Sequence, residues 1–343
     1  MSQGGGPPSV FELVLIALFL IAGNLVPPSA QAKATRPAGT SVQEPVQSAA
    51  KNPTRQSRNQ PLTFIARLDH APFPYTGKVG DTDHDFFDYV DPATGERFHT
   101  GRNGERFSET ACYGDSSVLF HLPNGFSAAR PLIYVVFFHG ILTEVNEFVR
   151  DFYLVDQVEN SGRNAILIVP QLAKHATDTS PGKFFQRKAF RRFMDEVSQV
   201  LAARLGRRHL KKLNQAPVIL AAFSGGYKAT ALVLDRGGLD ARLKGVMLLD
   251  ALYDDVDRFE KWWLKNNRRT FLLNIFGAGS CEENSRLLAD GLVRRGFRPS
   301  PEWPRQVDKR GLYFIRSNNE HLQIPLLGPP ERPLEKLLRN LAF

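Results

Sequence analysis

The sequence predicts an α/β fold with a mainly parallel central sheet, helices on both faces and a small β-hairpin region near its N-terminus. The first observation is a series of short apolar runs, which is typical of strands that are buried on both faces. The second is that segments with helical periodicity lie between several of these runs. The third is a strand that ends in Ser-Gly-Gly at Ser224 and turns at once into a helix-forming segment.

Six strands of the parallel sheet are predicted from these apolar runs. They are residues 132–138, 165–169, 218–223, 246–249, 271–276 and 312–315. Helices are predicted over 190–205, 285–295 and 334–341, and the first of them stops at Gly206. Because strands and helices alternate, functional residues are expected at the carboxyl ends of the strands.

Two more strands are predicted earlier in the chain, at residues 62–68 and 117–122. Between them, residues 86–107 contain two turn signals, Pro-Ala-Thr-Gly at 92–95 and Gly-Arg-Asn-Gly at 101–104, which predict the hairpin region. Residues 62–343 contain no internal repeat and form one predicted α/β domain.

The first 32 residues predict an export signal. Residues 13–22 are an uninterrupted apolar core, shorter than the ~20 residues of a membrane span but typical of a secretory signal. Ala-Gln-Ala at 30–32 predicts cleavage near Lys33. No Lys or Arg precedes the apolar run, so an uncleaved membrane anchor and a misread start stay open as alternatives.

Residues 33–61 form a predicted disordered linker, because they are rich in Pro, Ser and Gln and poor in large apolar residues. Five basic residues and one acidic residue give this linker a charge of +4, a large part of the +9 of the chain. No nucleic-acid-binding motif is visible, and the basic clusters at 187–192 and 207–212 are interpreted as solvated helix faces. The N-terminal segment is instead expected to contact a membrane or an anionic polymer.

Ser224 stands where a strand meets a helix, which is the setting of a nucleophile elbow. Such a turn holds the serine in a strained conformation and needs small residues two places before and after it. Ala222 and Gly226 occupy these places, so a methyl group is added where the elbow usually has glycine. The alternative is a Ser-Gly-Gly turn without chemistry.

Other polar residues follow the predicted strands in a defined order. His139 and Gly140 end the strand 132–138, Asp250 ends the strand after the elbow, and His321 lies beyond the last strand. Through this serine, acid, histidine order and the His-Gly pair, residues from about 62 to the C-terminus resemble the α/β-hydrolase fold family. The resemblance covers about four-fifths of the chain and identifies no subfamily.

The resemblance implies the chemistry of a serine hydrolase. Ser224 would attack a carbonyl carbon, His321 would take its proton, and Asp250 would orient His321. An oxyanion hole is implied at the N–H groups of Gly225 and Ile141, next to Gly140. As alternatives, His321 is a surface histidine and His139 only caps a strand.

The acid is the least certain member of the predicted triad. Most of the family place it after the strand that is here 271–276, where this chain has no aspartate. Asp250 is therefore preferred, with Glu282 or Glu283 as alternatives. Asp250 could also be a helix cap or a salt-bridge partner.

Two cysteines, Cys112 and Cys281, could pair in an oxidising compartment. The family strand order separates their neighbouring strands by about 24 Å, far more than the ~6 Å that a disulfide spans, so they are expected to be unpaired. Neither cysteine has metal-ligand spacing and the eight histidines form no zinc pattern, so no metal and no cofactor is expected.

The sequence thus predicts an exported serine hydrolase, periplasmic or secreted or anchored to the membrane, that cleaves an ester, thioester or amide. Its substrate would be a small-molecule or cell-envelope acyl compound, with no specific nucleic-acid partner. Residues 173–185 are predicted to flank the site. Trp262 and Trp263 are predicted to pack a helix, with the lining of an apolar pocket as the alternative. The alternatives are a catalytically inactive α/β-hydrolase-like binding protein of the cell envelope and a membrane-tethered structural protein.

Overall fold

The computed structural model describes residues 60–343. The predicted export signal and all but the last two residues of the predicted linker lie outside the described residues. Within residues 60–343, no helix is both long and apolar enough to cross a membrane.

Eleven strands are described. They are β1 (Leu62–Arg67), β2 (Tyr89–Val90), β3 (Arg97–Thr100), β4 (Arg106–Ser108), β5 (Ser117–Leu122), β6 (Ile133–Phe138), β7 (Ala165–Pro170), β8 (Val218–Phe223), β9 (Leu243–Leu249), β10 (Phe271–Phe276) and β11 (Leu312–Arg316). Eight of them form one sheet in the order β1-β5-β7-β6-β8-β9-β10-β11. Only β5 is antiparallel to its neighbours, so the predicted mainly parallel sheet and the α/β-hydrolase architecture are confirmed.

Nine α-helices surround this sheet in the described part of the chain. They are α1 (Val145–Asp151), α2 (Leu154–Ser161), α3 (Ala189–Leu205), α4 (Leu210–Gln215), α5 (Tyr227–Arg236), α6 (Val256–Asn266), α7 (Ser280–Arg294), α8 (Ile324–Leu327) and α9 (Pro333–Asn340). Apolar residues of α3 to α7 pack on one face of the sheet, and those of α1, α2, α8 and α9 pack on the other.

Strand β6 shows why these runs are apolar throughout. Val136 and Phe138 belong to the core on one face of the sheet, whereas Val135 and Phe137 belong to the core on the other. Successive side chains of a strand point to opposite faces, so a strand covered on both sides needs apolar residues at every position.

Strands β2, β3 and β4 form the small antiparallel sheet that the two turn signals predicted. The helix expected at 285–295 begins earlier, at Ser280, because Gly279 with φ 88° provides its N-terminal boundary and the charged first turn hides the periodicity. Strand β9 begins at Leu243, three residues before the predicted start. The prediction began late because Lys244 and Gly245 interrupt the apolar run.

Two smaller expectations concern individual side chains. Trp262 and Trp263 lie on α6 and are buried in the core, as expected for packing residues. Cys112 and Cys281 are both free thiols.

Candidate active site

Ser224 follows the last residue of β8 and lies in a strained turn. Its φ is 52°, in the left-handed region that a side chain with a Cβ atom rarely adopts. A short 3-10 turn, Ser224–Gly226, then leads into α5. A Cβ atom on Gly226 would lie 2.3 Å from the carbonyl oxygen of Phe138, so only glycine fits there. The backbone therefore has the geometry that the elbow pattern predicts.

Gly140 and Gly225 allow the loop after β6 to approach this turn closely. A Cβ atom on Gly140 would lie 2.9 Å from the Cβ atom of Ser224. A Cβ atom on Gly225 would lie 2.8 Å from Cγ2 of Ile141 and 3.5 Å from the Ile141 nitrogen. The two predicted oxyanion donors, the N–H groups of Gly225 and Ile141, thus belong to backbone segments in contact with each other beside Ser224.

His139 orients the second of these donors. Leu172 N–H donates to His139 Nε2 over 2.8 Å, so the ring proton is on Nδ1, which donates to the Gly140 carbonyl over 2.7 Å. In a trans peptide the C=O and N–H groups point in opposite directions. The hydrogen bond therefore turns the N–H of Ile141 away from His139. His139 thus does more than cap a strand, which was the alternative role that the sequence left open.

His139 is completely buried, and this burial lowers its pKa to about 4. The unfolded chain, with an ordinary pKa of 6.5, binds more protons than the folded chain between these two values. The contribution of the neutral, buried His139 ring to the free energy of unfolding is therefore complete above pH 6.5. It is lost, by up to about 3 kcal/mol, as the pH falls towards 4.

Denaturant unfolding of the wild type and of His139→Gln at neutral and mildly acidic pH measures this effect. We expect the variant to be less stable at neutral pH and to lose less stability on acidification. Parallel pH dependences of the two proteins would contradict the prediction.

His321 and Asp250 are in direct contact. His321 Nδ1 donates to Asp250 Oδ2 over 2.6 Å. The imidazole ring stacks on Phe223, with ring centroids 4.6 Å apart. Asn319 holds the histidine loop through hydrogen bonds to the carbonyls of Leu327 and Gly328. The last strand and β9 thus bring together two residues that are 71 positions apart in the sequence.

Asp250 is held by the loop in which most of the family would place the acid. The N–H of Gly277, directly after β10, donates to Asp250 Oδ1 over 2.7 Å. Asp250 is almost fully buried, and its φ of 45° makes it a second strained residue of the site. Its carboxylate oxygens are therefore separately occupied, one by Gly277 and the other by His321.

The two alternative acids have different positions. Glu282 pairs with Arg286 and Arg316, and these hydrogen bonds lower its pKa. Glu283 lies in the first turn of α7, where the helix dipole stabilises a negative charge. The geometry thus favours Asp250 as the partner of His321.

Tyr253 is a member of this cluster that sequence reasoning missed. Its hydroxyl lies 3.3 Å from His321 Nδ1 and 3.5 Å from Asp250 Oδ2. Burial, followed by the nearby charge of Asp250, raises the pKa of Tyr253, so the hydroxyl keeps its proton. Its position three residues after Asp250, in a loop at a strand end, is the only signal the sequence offers.

Phe223 is next to both Ser224 and His321. Ser224 follows it in the sequence, and the His321 ring stacks on its side chain. Within residues 60–343 no hydrogen bond joins Ser224 Oγ to the His321 ring. Catalytic hydrogen bonds are often long in the absence of substrate and tighten when it binds.

A cleft of about 940 Å³ opens beside the predicted oxyanion hole. Thr179 belongs to its lining, and Cγ2 of Thr179 would lie 2.9 Å from a Cβ atom on Gly225. Other parts of the wall come from the small sheet, at His99 and Thr100, and from α5, at Lys228. Residues 178–180 of the predicted flanking segment therefore lie between the cleft and the elbow.

No group of three or more His, Cys, Asp or Glu side chains suited to a metal ion occurs in the described part of the chain.

Comparisons with known proteins give matches only among solved structures. No protein-family model matches the chain, and no curated protein matches it. A mutant feruloyl esterase module from Clostridium thermocellum, complexed with sinapinate, is 14% identical with a TM-score of 0.43, covering 76% of this chain and 96% of that one. S-formylglutathione hydrolase from Staphylococcus aureus is 12% identical with a TM-score of 0.41, covering 82% and 98%. MPT51 from Mycobacterium tuberculosis is 12% identical with a TM-score of 0.41, covering 78% and 98%.

Proposed function

We propose that this protein is a serine hydrolase that cleaves an ester, thioester or amide through an acyl-enzyme intermediate. The observation that carries the proposal is the 2.6 Å hydrogen bond between Asp250 and His321 at the same sheet edge as the strained Ser224. A buried carboxylate, an imidazole and a serine at a tight turn are the parts that acyl transfer needs.

In the proposed reaction, His321 Nε2 takes the proton of Ser224 as its oxygen attacks the carbonyl carbon. Asp250 keeps the Nδ1–H tautomer in place and stabilises the imidazolium that forms. The N–H groups of Gly225 and Ile141 donate to the oxygen of the tetrahedral intermediate. The leaving group departs with the proton from His321. Water then attacks the acyl-enzyme while His321 takes its proton, and His321 returns that proton to the Ser224 oxygen as the acid is released.

The cleft supports a small-molecule substrate or one end of a cell-envelope acyl compound. Ser224 and His321 do not line it, but Thr179 of its wall lies next to Gly225. Pockets for small ligands measure ~300–1,000 Å³, and this cleft lies within that range.

The cations of this cleft are largely neutralised by ion pairs, for example Lys228 with Asp255 at 2.8 Å. Its wall also carries Asp83, Asp88 and Asp178, which pair with no Lys or Arg among residues 60–343, so a neutral or cationic substrate portion fits it better than an anionic one.

Export is a further part of the proposal. The apolar core at residues 13–22 and Ala-Gln-Ala at 30–32 support a periplasmic or secreted protein. An anchor that is not cleaved would keep the same domain on the membrane. Mass spectrometry of the protein from its native host distinguishes the two, because only cleavage yields an N-terminus near Lys33.

Labelling with a fluorophosphonate probe tests the enzymatic function, since the probe phosphonylates an activated serine. We expect labelling of the native protein and none after denaturation. The second candidate is a catalytically inactive binding protein, favoured by the missing hydrogen bond between Ser224 and His321. Native protein that resists the probe would support that candidate and contradict the hydrolase.

Tyr253→Phe tests the cluster around His321 more finely. The hydroxyl of Tyr253 is placed to donate to Asp250 Oδ2, because His321 Nδ1 already carries the proton that it donates to the same oxygen. Its removal is expected to weaken the hold on the Asp250 carboxylate that orients His321, so kcat falls about threefold.

Tyr227→Phe is the matched control, because the Tyr227 ring packs on Tyr253 with centroids 6.2 Å apart, whereas only the Tyr253 hydroxyl bonds to the Asp250–His321 pair. An equal loss of kcat in Tyr227→Phe and Tyr253→Phe would assign Tyr253 a packing role only.

A further inference from the structure

The edge of the central sheet opposite the candidate active site carries a row of basic residues. The parallel strands β6 to β11 all start at this edge, and a cation lies at or shortly before the start of each one. We call this row the basic edge; it consists of Arg130, Arg163, Lys212, Lys244, Arg269 and Lys309. Six adjacent strands at ~4.8 Å spacing extend over about 24 Å, so the row is an extended surface.

Among residues 60–343, no carboxylate forms an ion pair with any of these cations. Arg163, Lys212 and Lys244 donate to backbone carbonyls, at 2.7 Å, 2.5 Å and 2.9 Å. Arg269 bonds the amide of Asn266, and the Lys309 ammonium lies over the ring of Phe343. Near this row, Asp240 is paired with Lys265, and Asp308 is an exposed carboxylate.

The opposite edge is different. Near the active site, Arg102 pairs with Asp254, Arg258 with Asp255 and Arg316 with Glu282, each over 3.0 Å. Positive charge is thus cancelled at the reactive edge and left available at the basic edge. The pKa of Lys244 is lowered by burial and then by the charges of Lys309 and Arg269, which agrees with cations that face one another without acids.

An apolar recess interrupts the basic edge. A pocket of about 460 Å³ lies between Arg163 and Lys212 and is lined by Pro131, Pro217 and Phe343 among others. A row of cations with an apolar recess fits a phospholipid surface, which offers phosphate groups above acyl chains. A soluble polyanion would use the charges and leave the recess without a partner.

The polypeptide also enters the domain at this edge. Strand β1 is antiparallel to β5, which is antiparallel to β7, so β1 runs in the direction of the parallel strands and starts among their starts. The segment just before it, residues 33–61, adds a charge of +4. The basic segment is thus joined to the domain at the same edge as the row of cations.

We propose that the basic edge is a docking surface for an anionic lipid bilayer, with the candidate active site facing away from it. For its biological setting, the inference rests on the proposed export of the protein. The electrostatic attraction of each basic residue to an anionic surface falls off within about 10 Å at ordinary salt, so the cations have to lie at the surface itself.

Co-sedimentation of the full-length protein with vesicles tests this. One set of vesicles is phosphatidylcholine alone and the other contains one-third phosphatidylglycerol. The measured quantity is the ratio of the two affinities, because any insertion of the N-terminal apolar run contributes to both. The wild type is expected to prefer anionic vesicles, and added salt is expected to remove the preference.

Two variants with equal changes in net charge separate the basic edge from overall charge. The edge variant carries Arg130→Glu, Arg269→Glu and Lys309→Glu, and the control carries Arg187→Glu, Lys188→Glu and Arg192→Glu, all at exposed positions. We expect the edge variant to lose the anionic preference at least about tenfold and the control to retain most of it.

Equal losses in the two variants, or no anionic preference in the wild type, would overturn the proposal. So would an edge variant that binds vesicles normally but no longer binds dextran sulfate, since that result assigns the edge to a soluble polyanion. Probe labelling of Ser224 in the same variants should be unchanged, so failure of the docking proposal and failure of the hydrolase proposal are distinguishable.

Discussion

Ser224→Ala is expected to abolish labelling by a fluorophosphonate probe and to lower turnover by at least about a thousandfold. The reason is that the substitution removes the only oxygen that can form the acyl-enzyme. The Ser224 side chain makes no hydrogen bond to another described residue, and it is 8% exposed, so the fold loses almost nothing. Labelling, steady-state kinetics on small esters and a thermal melt measure the three quantities.

The matched control is Ser180→Ala. Ser180 lines the cleft and donates to Asp178, but it lies on no elbow. We expect Ser180→Ala to keep its probe labelling. If Ser224→Ala were labelled as strongly as the wild type, another residue would be the nucleophile.

Backbone strain at Ser224 leads to a second expected result, which concerns stability and does not depend on catalysis. Ser224→Gly relieves the cost of a side chain at φ 52°, whereas Ser224→Ala leaves it in place. Ser224→Gly is therefore expected to be more stable than Ser224→Ala by about 1 kcal/mol, with both variants inactive. The native protein would then store backbone strain at the residue that its chemistry uses.

Asp250→Asn is expected to keep the fold and to lower turnover by about 10⁴. An amide at this position can accept from Gly277 N–H as the carboxylate does, but its NH₂ group would face His321 Nδ1 and favour the tautomer with the proton on Nε2. That tautomer cannot take a proton from Ser224. Kinetics together with a circular dichroism spectrum check the prediction.

The double variant Glu282→Gln, Glu283→Gln is the control for Asp250. Glu282 pairs with Arg286 and Arg316 at the surface, and such surface ion pairs contribute little to stability. Turnover is expected to change by less than about tenfold. A larger loss than in Asp250→Asn would transfer the orienting role to a glutamate while leaving Ser224 and His321 in theirs.

Some of these features follow from short stretches of sequence. Strands β8 and β10 have the predicted bounds, because a strand covered on both faces needs an unbroken apolar run. Strand β9 starts before its predicted bound, because Lys244 at the sheet edge keeps its charge near solvent while the backbone already pairs. The elbow at Ser224 is equally local, since small neighbours and a positive φ are requirements of the turn itself.

The sequence by itself thus determined the α/β fold class, the strand segments and the candidate serine, because each of these depends on neighbouring residues. The contact of Asp250 with His321, the support from Gly277 N–H and the place of Tyr253 were decided only by the tertiary structure. The same holds for the basic edge, whose cations are scattered over 180 residues and meet only where parallel strands begin together. Contacts between strand ends depend on strand order and loop paths, and these are settled by packing of the whole domain.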